Sequence, residues 1–252
     1  MFLKLENLNV HYKVSGSGDP IVLIHGWGAD ISCFSKLRDH FSQKFKVYAL
    51  DLPGFGLSKA PDEVWGSIEY ANCVKNFISE LKITRPIFLG HSLGGKIALH
   101  LAADNLIDTK KIILISSSGV RLPKPFIVKF KIYCFKLLRF LAKVPVIRYF
   151  VEPVLDFWRK KVGSNDYRNA SGIMRSIMVK VVNEDVVSIL PKVKVPALLL
   201  WGDRDFDTPA QAGEIMHRAI SGSELKIISD SGHFPFLDNW EMVKQELDGF
   251  LL

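Results

Sequence analysis

Along the chain, short, mainly apolar runs alternate with stretches in which apolar residues recur every three or four positions. The runs fall at residues 21–24, 46–51, 87–89, 111–115, 195–201 and 225–228. Runs this short and this apolar are expected for strands covered on both faces. Residues 2–14 alternate more loosely and close on the turn cluster Ser15-Gly16-Ser17-Gly18-Asp19-Pro20. They read as two antiparallel strands joined through Glu6-Asn7. Helical spacing marks residues 32–45, 67–82, the stretch after Gly95 and residues 240–250. In the second of these, Ile68, Ala71, Val74, Ile78 and Leu81 share one side. Strands alternating with helices predict an α/β fold, with a mostly parallel, doubly wound sheet of eight strands.

The alternation stops at Ser116-Ser117-Ser118-Gly119. From 120 to about 190 no strand pattern occurs. Phe126, Ile127, Phe130, Tyr133, Cys134, Leu137, Leu138 and Leu141 recur at helical spacing instead. Pro145 and Pro153 punctuate the stretch, and further helices are expected near 154–158 and 167–182. The expected organisation is a sheet-bearing core of residues 1–119 and 191–252, interrupted by a helical insertion over 120–190.

Composition adds limits. A chain of 252 residues fits one α/β domain with an insertion. Its mean hydropathy of +0.15 is that of a globular protein, and no run of about 18 apolar residues predicts a membrane span. Charges break the apolar run at the N-terminus, so no signal peptide is expected. Cys33, Cys73 and Cys134 lie far apart without metal-binding spacing, which suggests a reducing compartment and a cytoplasmic location. The net charge of +7 is uneven: residues 119–194 hold sixteen Lys/Arg against five Asp/Glu, leaving seventeen basic and twenty-one acidic residues elsewhere. No recognition motif accompanies this charge, so nucleic acid is not an expected partner.

Candidate chemistry begins where the run at 87–89 meets the next helix, at Gly90-His91-Ser92-Leu93-Gly94-Gly95. A serine on a tight strand-to-helix turn needs small neighbours two positions either side, and Gly90 and Gly94 supply them. The helix that follows points its first N–H groups and positive dipole end at Ser92, which favours an anion there. This G-x-S-x-G turn resembles the nucleophile elbow of the α/β-hydrolase family. Other segments are similar to that family in the same order. His25-Gly26-Trp27-Gly28 resembles its oxyanion loop, and Asp51-Leu52-Pro53-Gly54-Phe55-Gly56-Leu57-Ser58 its packed D-x-P-G-x-G-x-S turn. Gly202-Asp203-Arg204-Asp205 through Pro209 matches G-x-x-D-x-x-x-P, and Ser231-Gly232-His233-Phe234-Pro235 matches its histidine loop.

The resemblance implies a serine hydrolase with the triad Ser92, Asp205 and His233 and an oxyanion hole built from the Trp27 and Leu93 N–H groups. Asp205 falls on the acid position. Asp203, and behind it Asp207, remain alternatives. His25 is expected to be a buried histidine that holds its loop. The insertion resembles the family's helical cap. Phe34, Phe126, Trp158 and Phe234 are candidate pocket liners, implying an apolar ester or acyl substrate. No cofactor and no metal are expected. Two alternatives stay open: hydrolysis of a carbon–carbon bond in a vinylogous diketone, and a ligand-responsive receptor on the same fold. The acid-free basic stretch between Thr109 and Val151 suggests contact with an anionic membrane surface or an acidic carrier, or simply a solvated basic face.

Overall fold

The computed structural model describes residues 1–104, 106–123, 133, 137–142, 148–149, 151–155 and 170–251. Eight strands form one sheet: β1 (Phe2–Leu5), β2 (Leu8–Ser15), β3 (Asp19–Ile24), β4 (Phe45–Leu50), β5 (Ile87–His91), β6 (Lys111–Ile115), β7 (Ala197–Gly202) and β8 (Ser223–Ile228). Their order is β1-β2-β4-β3-β5-β6-β7-β8. Only β2 opposes the others, pairing antiparallel with β1 and β4, while β4 through β8 pair parallel. The sheet is the expected mostly parallel one. Its parallel strands therefore present their C-terminal ends on one edge, where open α/β sheets carry their sites.

The apolar runs are covered on both faces, and their side chains sort with a period of two. Val22 and Ile24 of β3 and Ile112 and Leu114 of β6 join one core cluster. Ile21 and Leu23, with Ile113 and Ile115, join the other. The first cluster is roofed by α2 (Ser67–Glu80) and α3 (Leu93–Ala103), and by α5 (Ala210–Ala219) beside β7. The second is covered by α1 (Ser35–Phe41) and α6 (Trp240–Leu251). Each fully buried Leu, Ile or Phe contributes about 1.5–3 kcal/mol, so these two layers hold the strand ends in register.

Between β6 and β7 the described residues are helical at 133, 137–141, 148–149 and 151–155 and in α4 (Gly172–Asn183), followed by a 3₁₀ turn, Val187–Lys192. The residues before 170 in the helix expected over 167–182 lie outside the described residues. Lys96 of α3 clasps the end of α4. It is 1 % exposed, and its Nζ donates to the carbonyls of Val181 at 2.6 Å and Glu184 at 3.3 Å. Glu184 in turn accepts from the Ser67 N–H at 2.8 Å, at the start of α2. Burial pushes the Lys96 ammonium down to about 8, against the pull of Glu184 and Asp185.

Two local expectations change. The helix read over 32–45 divides into a 3₁₀ turn, Ile31–Phe34, and the short α1. Phe45 begins β4 instead, after a turn in which Lys44 N–H donates to Phe41. The periodicity spilled across that turn because Phe41 and Phe45 both face the second cluster. Helix α5 was not expected at all. Its inward face carries Ala212, Gly213 and Met216, and Ile220 is buried just past its end.

Candidate active site

Ser92 sits between β5 and α3 with φ 51° and ψ −110°, a strained conformation for a residue with a side chain. Its backbone is pinned on both sides. The Ser92 N–H donates to Ile115 at 3.0 Å, and its carbonyl accepts from Ser118 at 3.0 Å, so the end of β6 holds the turn. A side chain at Gly94 would collide with the Ile24 carbonyl, and one at Gly90 with the Gly94 carbonyl. The elbow therefore packs directly against β3 and its own helix, which is why glycine stands at both places. Ser92 is half-buried, and among the described residues its hydroxyl makes no hydrogen bond.

The loop after β3 lies against this turn. A Cβ on Gly26 would stand 2.8 Å from His91 Nδ1 and 3.1 Å from Ser92 Cβ. His25 is fully buried and braces the loop. Its Nε2 accepts from Leu52 N–H at 2.9 Å, which leaves Nδ1 as the donor to the Gly26 carbonyl at 2.7 Å. Burial lowers its pKa, so the ring stays neutral. Trp27 is half-buried, with its ring 4.9 Å from that of Phe55. Leu93 is the first residue of α3, where an N–H has no acceptor within the helix.

Two further loops leave the same sheet edge. After β7, Asp205 is buried and fully engaged. One oxygen accepts from the N–H groups of Asp207 at 3.0 Å and Thr208 at 2.9 Å, and the other from the Thr208 hydroxyl at 2.8 Å. His233, after β8, brings Nδ1 to 2.9 and 3.2 Å from the two oxygens. Burial pushes the Asp205 pKa up, but the bonds from His233 and Thr208 outweigh it and hold the carboxyl below its usual range. Asp203 faces another way: it is exposed, and its carboxylate accepts the Ser231 N–H at 3.0 Å. Asp207 is exposed as well. The structure thus brings His233 to Asp205, and Asp203 serves the base of the histidine loop.

Three residues in this region escaped the sequence reading. Thr208 Oγ1 touches three partners, at 2.8 Å from Asp205, 3.0 Å from the Ser116 carbonyl and 3.2 Å from His233 Nδ1. A signal for it existed. An aspartate two and three residues before N–H groups it can accept forms an Asx-type turn, and Asp205-Phe206-Asp207-Thr208 has that form. His91 is the second. Its Nε2 donates to the His233 carbonyl at 2.8 Å, and the two rings lie 4.8 Å apart. Nδ1 of His91 is buried without a hydrogen-bond partner. Burial, with His233 next, pushes this ring down to about 3, so it stays neutral. Lys96 is the third, one turn into α3 from Ser92.

The expected pocket liners separate. Phe234 is half-buried, 4.5 Å from His91 between ring centres. Phe34 is fully buried in the second core cluster, 5.6 Å from Phe236, which makes it a packing residue in the described structure. Phe126 and Trp158 lie outside the described residues. Among the described residues, one group of side chains has the spacing to hold a metal ion, Asp205, Asp207 and His233, with ligand atoms within 4.8 Å of one another. Asp205 already accepts from four donors there, which a cation would have to displace. No helix among the described residues is long and apolar enough to cross a membrane.

The model of the alpha/beta hydrolase family matches residues 21–246. The chain is 25% identical to the pimeloyl-[acyl-carrier protein] methyl ester esterase of Legionella pneumophila, over 97% of this chain and all of that one. Among solved structures it is similar to a membrane phospholipase A described as a bacterial virulence factor, with a TM-score of 0.77 and 26% identity. That match covers all of this chain and 84% of the other. An esterase from Exiguobacterium antarcticum superposes with a TM-score of 0.75 and 26% identity, over 99% and 98% of the two chains.

Proposed function

Because the chain belongs to the alpha/beta hydrolase family, we propose that it is a serine esterase that opens a carboxylic ester through an acyl-serine. Ser92 Oγ attacks the acyl carbon while His233 takes its proton at Nε2, and the Trp27 and Leu93 N–H groups receive the charge that develops on oxygen. The alcohol leaves with the proton from His233. Water, deprotonated by the same ring, then attacks the acyl-serine and restores the hydroxyl. Asp205 keeps the proton on Nδ1 and offsets the imidazolium charge.

One observation carries this reading: His233 Nδ1 is committed to Asp205 at 2.9 Å, while its main chain is tied at 2.8 Å to the residue that precedes Ser92. Nδ1 is thereby fixed as donor, and Nε2 remains for proton transfer beside the elbow. The esterase relatives agree with an ester substrate. Residues 120–190 would roof this edge as a cap, with α4 contributing; its Met174 packs against Gly54 in the 52–58 turn. Phe234 and Trp27 would line the apolar side of the pocket.

Short p-nitrophenyl esters test the proposal. Turnover that falls by three or more powers of ten in Ser92→Ala, with a fluorophosphonate label found on Ser92 in the native chain, is the expected result. Undiminished turnover in Ser92→Ala, or tight binding of esters without turnover in the native chain, overturns it. The second outcome would favour the receptor alternative.

A further inference from the structure

His91 closes β5 one step before Ser92 and is 1% exposed. Two loops meet across its ring. On one side Nε2 donates to the His233 carbonyl at 2.8 Å, and the ring centre lies 4.5 Å from that of Phe234 and 5.4 Å from that of Phe236. The ring therefore packs along the histidine loop as well as bonding to it. On the other side stands Gly26. A Cβ there would come 2.8 Å from His91 Nδ1 and 3.3 Å from its Cε1, so the loop after β3 rests on this edge of the ring. Strand order explains the need for such a spacer. β5, β6 and β7 lie between β3 and β8, so no strand pairing sets the distance between the loops that follow those two strands.

The ring carries a penalty that a plain packing residue would avoid. With Nε2 as the donor, the neutral imidazole leaves Nδ1 as an acceptor. That atom is buried, and among the described residues it has no hydrogen-bond partner. Buried polar atoms are normally paired, so one left bare in a fold calls for a reason. Leucine or phenylalanine would fill the volume without an orphaned nitrogen. Either would also lose the N–H that ties the end of β5 to the His233 main chain. A bare nitrogen is tolerated where the bond on the far edge of the ring does something that packing cannot, and a directional tie beside Ser92 is of that kind.

We propose that His91 is a positioning residue for the ester chemistry: one edge of its ring sets the histidine loop against Ser92, and the other sets the loop that carries the Trp27 N–H. This role rests on the esterase reading, in which both loops act on one transition state. A shift of about 1 Å among base, hydroxyl and oxyanion donors can lower the rate about a hundredfold, because the reacting atoms must align. Ground-state binding of the ester needs no such alignment, so the effect falls on kcat and not on KM.

Three substitutions separate the bond from the volume. His91→Phe keeps a ring and deletes the donor. His91→Asn stops short of the His233 carbonyl and deletes the bond without added bulk, so it serves where the phenylalanine variant does not fold. His91→Gln places an amide N–H near the position of Nε2. On p-nitrophenyl acetate, the Phe and Asn variants should lower kcat by about thirty- to a hundredfold with KM within about twofold of the native value. The Gln variant should stay within about fivefold of native kcat. Circular dichroism at the assay temperature gives the folded fraction, so lost rate is not mistaken for lost protein. A second readout needs no turnover. The His233 Nδ1 proton, followed by NMR, should exchange with water about tenfold faster in the Phe and Asn variants than in the native chain and the Gln variant. Native kcat in a folded Phe or Asn variant overturns the proposal, and so does a loss in the Gln variant equal to theirs. A loss confined to KM would make His91 part of the ester pocket instead. A native chain without esterase turnover that still shows this exchange pattern would sink the esterase reading and leave the spacer role standing. Normal turnover with one exchange rate in all four chains would do the reverse.

Discussion

Asp205 Oδ2 lies 2.9 Å from His233 Nδ1, bringing together two loops twenty-eight residues apart in sequence. The neighbouring Asp203 spends its carboxylate on the Ser231 N–H at the root of the histidine loop. The two aspartates should therefore respond differently. Asp205→Asn removes the acceptor that fixes the imidazole tautomer and should lower kcat on p-nitrophenyl acetate by about 10⁴-fold. Asp203→Asn keeps an acceptor for the Ser231 N–H and should lower kcat less than about tenfold. A comparable loss in both variants would contradict the assignment of Asp205 as the acid.

Thr208 should act on rate through its neighbours. Its hydroxyl reaches Asp205 at 2.8 Å and the Ser116 carbonyl at 3.0 Å, joining the acid loop to the end of β6. Thr208→Val preserves the shape and deletes the hydroxyl. A hydrogen bond to a charged group contributes about 1.5–3 kcal/mol, so kcat should drop by roughly ten- to a hundredfold with KM little changed. Thr208→Ser should restore most of the rate. Failure of serine to rescue would mean that the methyl packing, and not the hydroxyl, matters at this position.

His91 sets an acid limit on stability. Burial, followed by His233, holds this ring down at about 3, far below an unfolded histidine near 6.5. The unfolded chain takes up a proton as pH falls below about 6.5, while the folded chain refuses it until about 3. Stability is therefore complete above the unfolded value and is lost progressively below it. His25, also lowered by burial, adds in the same direction. His91→Gln retains a donor toward the His233 carbonyl without titrating. Between pH 7 and pH 4.5 the native chain should lose about 2–3 kcal/mol more than this variant, as read from urea midpoints. Parallel losses in the two proteins would refute it.

Lys96 works at the alkaline end. Burial lowers its ammonium to about 8, below the lysine range near 10.5 of the unfolded chain. Between those values the unfolded state binds a proton that the folded state has released, so stability rises as pH climbs from 8 toward 10.5. Lys96→Met fills similar space without a charge and should lack this rise. Urea midpoints at pH 7.5 and 9.5 for both chains check it. A native chain that gains nothing on Lys96→Met at the higher pH would show that the ammonium is paired well enough to escape the burial cost.

Much of the fold was legible because a parallel sheet writes itself as apolar runs. Residues 111–115 coincide with β6, and the strands around it shift only at their ends. Helix α5 was missed although Ala212, Gly213 and Met216 share one buried face, since two of those three are small residues that weigh little as apolar markers. In the site, glycines and a histidine loop announced where chemistry is expected. The family pattern pointed to Asp205 among three aspartates, but the direction in which each faces is decided by packing, since Asp203 and Asp205 lie only two residues apart on one turn. Thr208 and His91 were missed for a related reason. Each acts through partners from distant strand ends, Ser116 for one and the His233 carbonyl for the other. No local spacing records such meetings.

The Val186 N–H donates to the Gly119 carbonyl at 2.8 Å. The outgoing and returning limbs of the long excursion between β6 and β7 are thus stitched to one another at its root. Beyond that stitch the excursion still touches the core, since Ile177 and Val181 of α4 join the first cluster and Lys96 of α3 holds the carbonyls at its end. A brief glycine-serine bridge that replaces only residues 124–169 ought to leave a foldable core, whereas one that also removes α4 strands the buried Lys96 ammonium without its carbonyl partners.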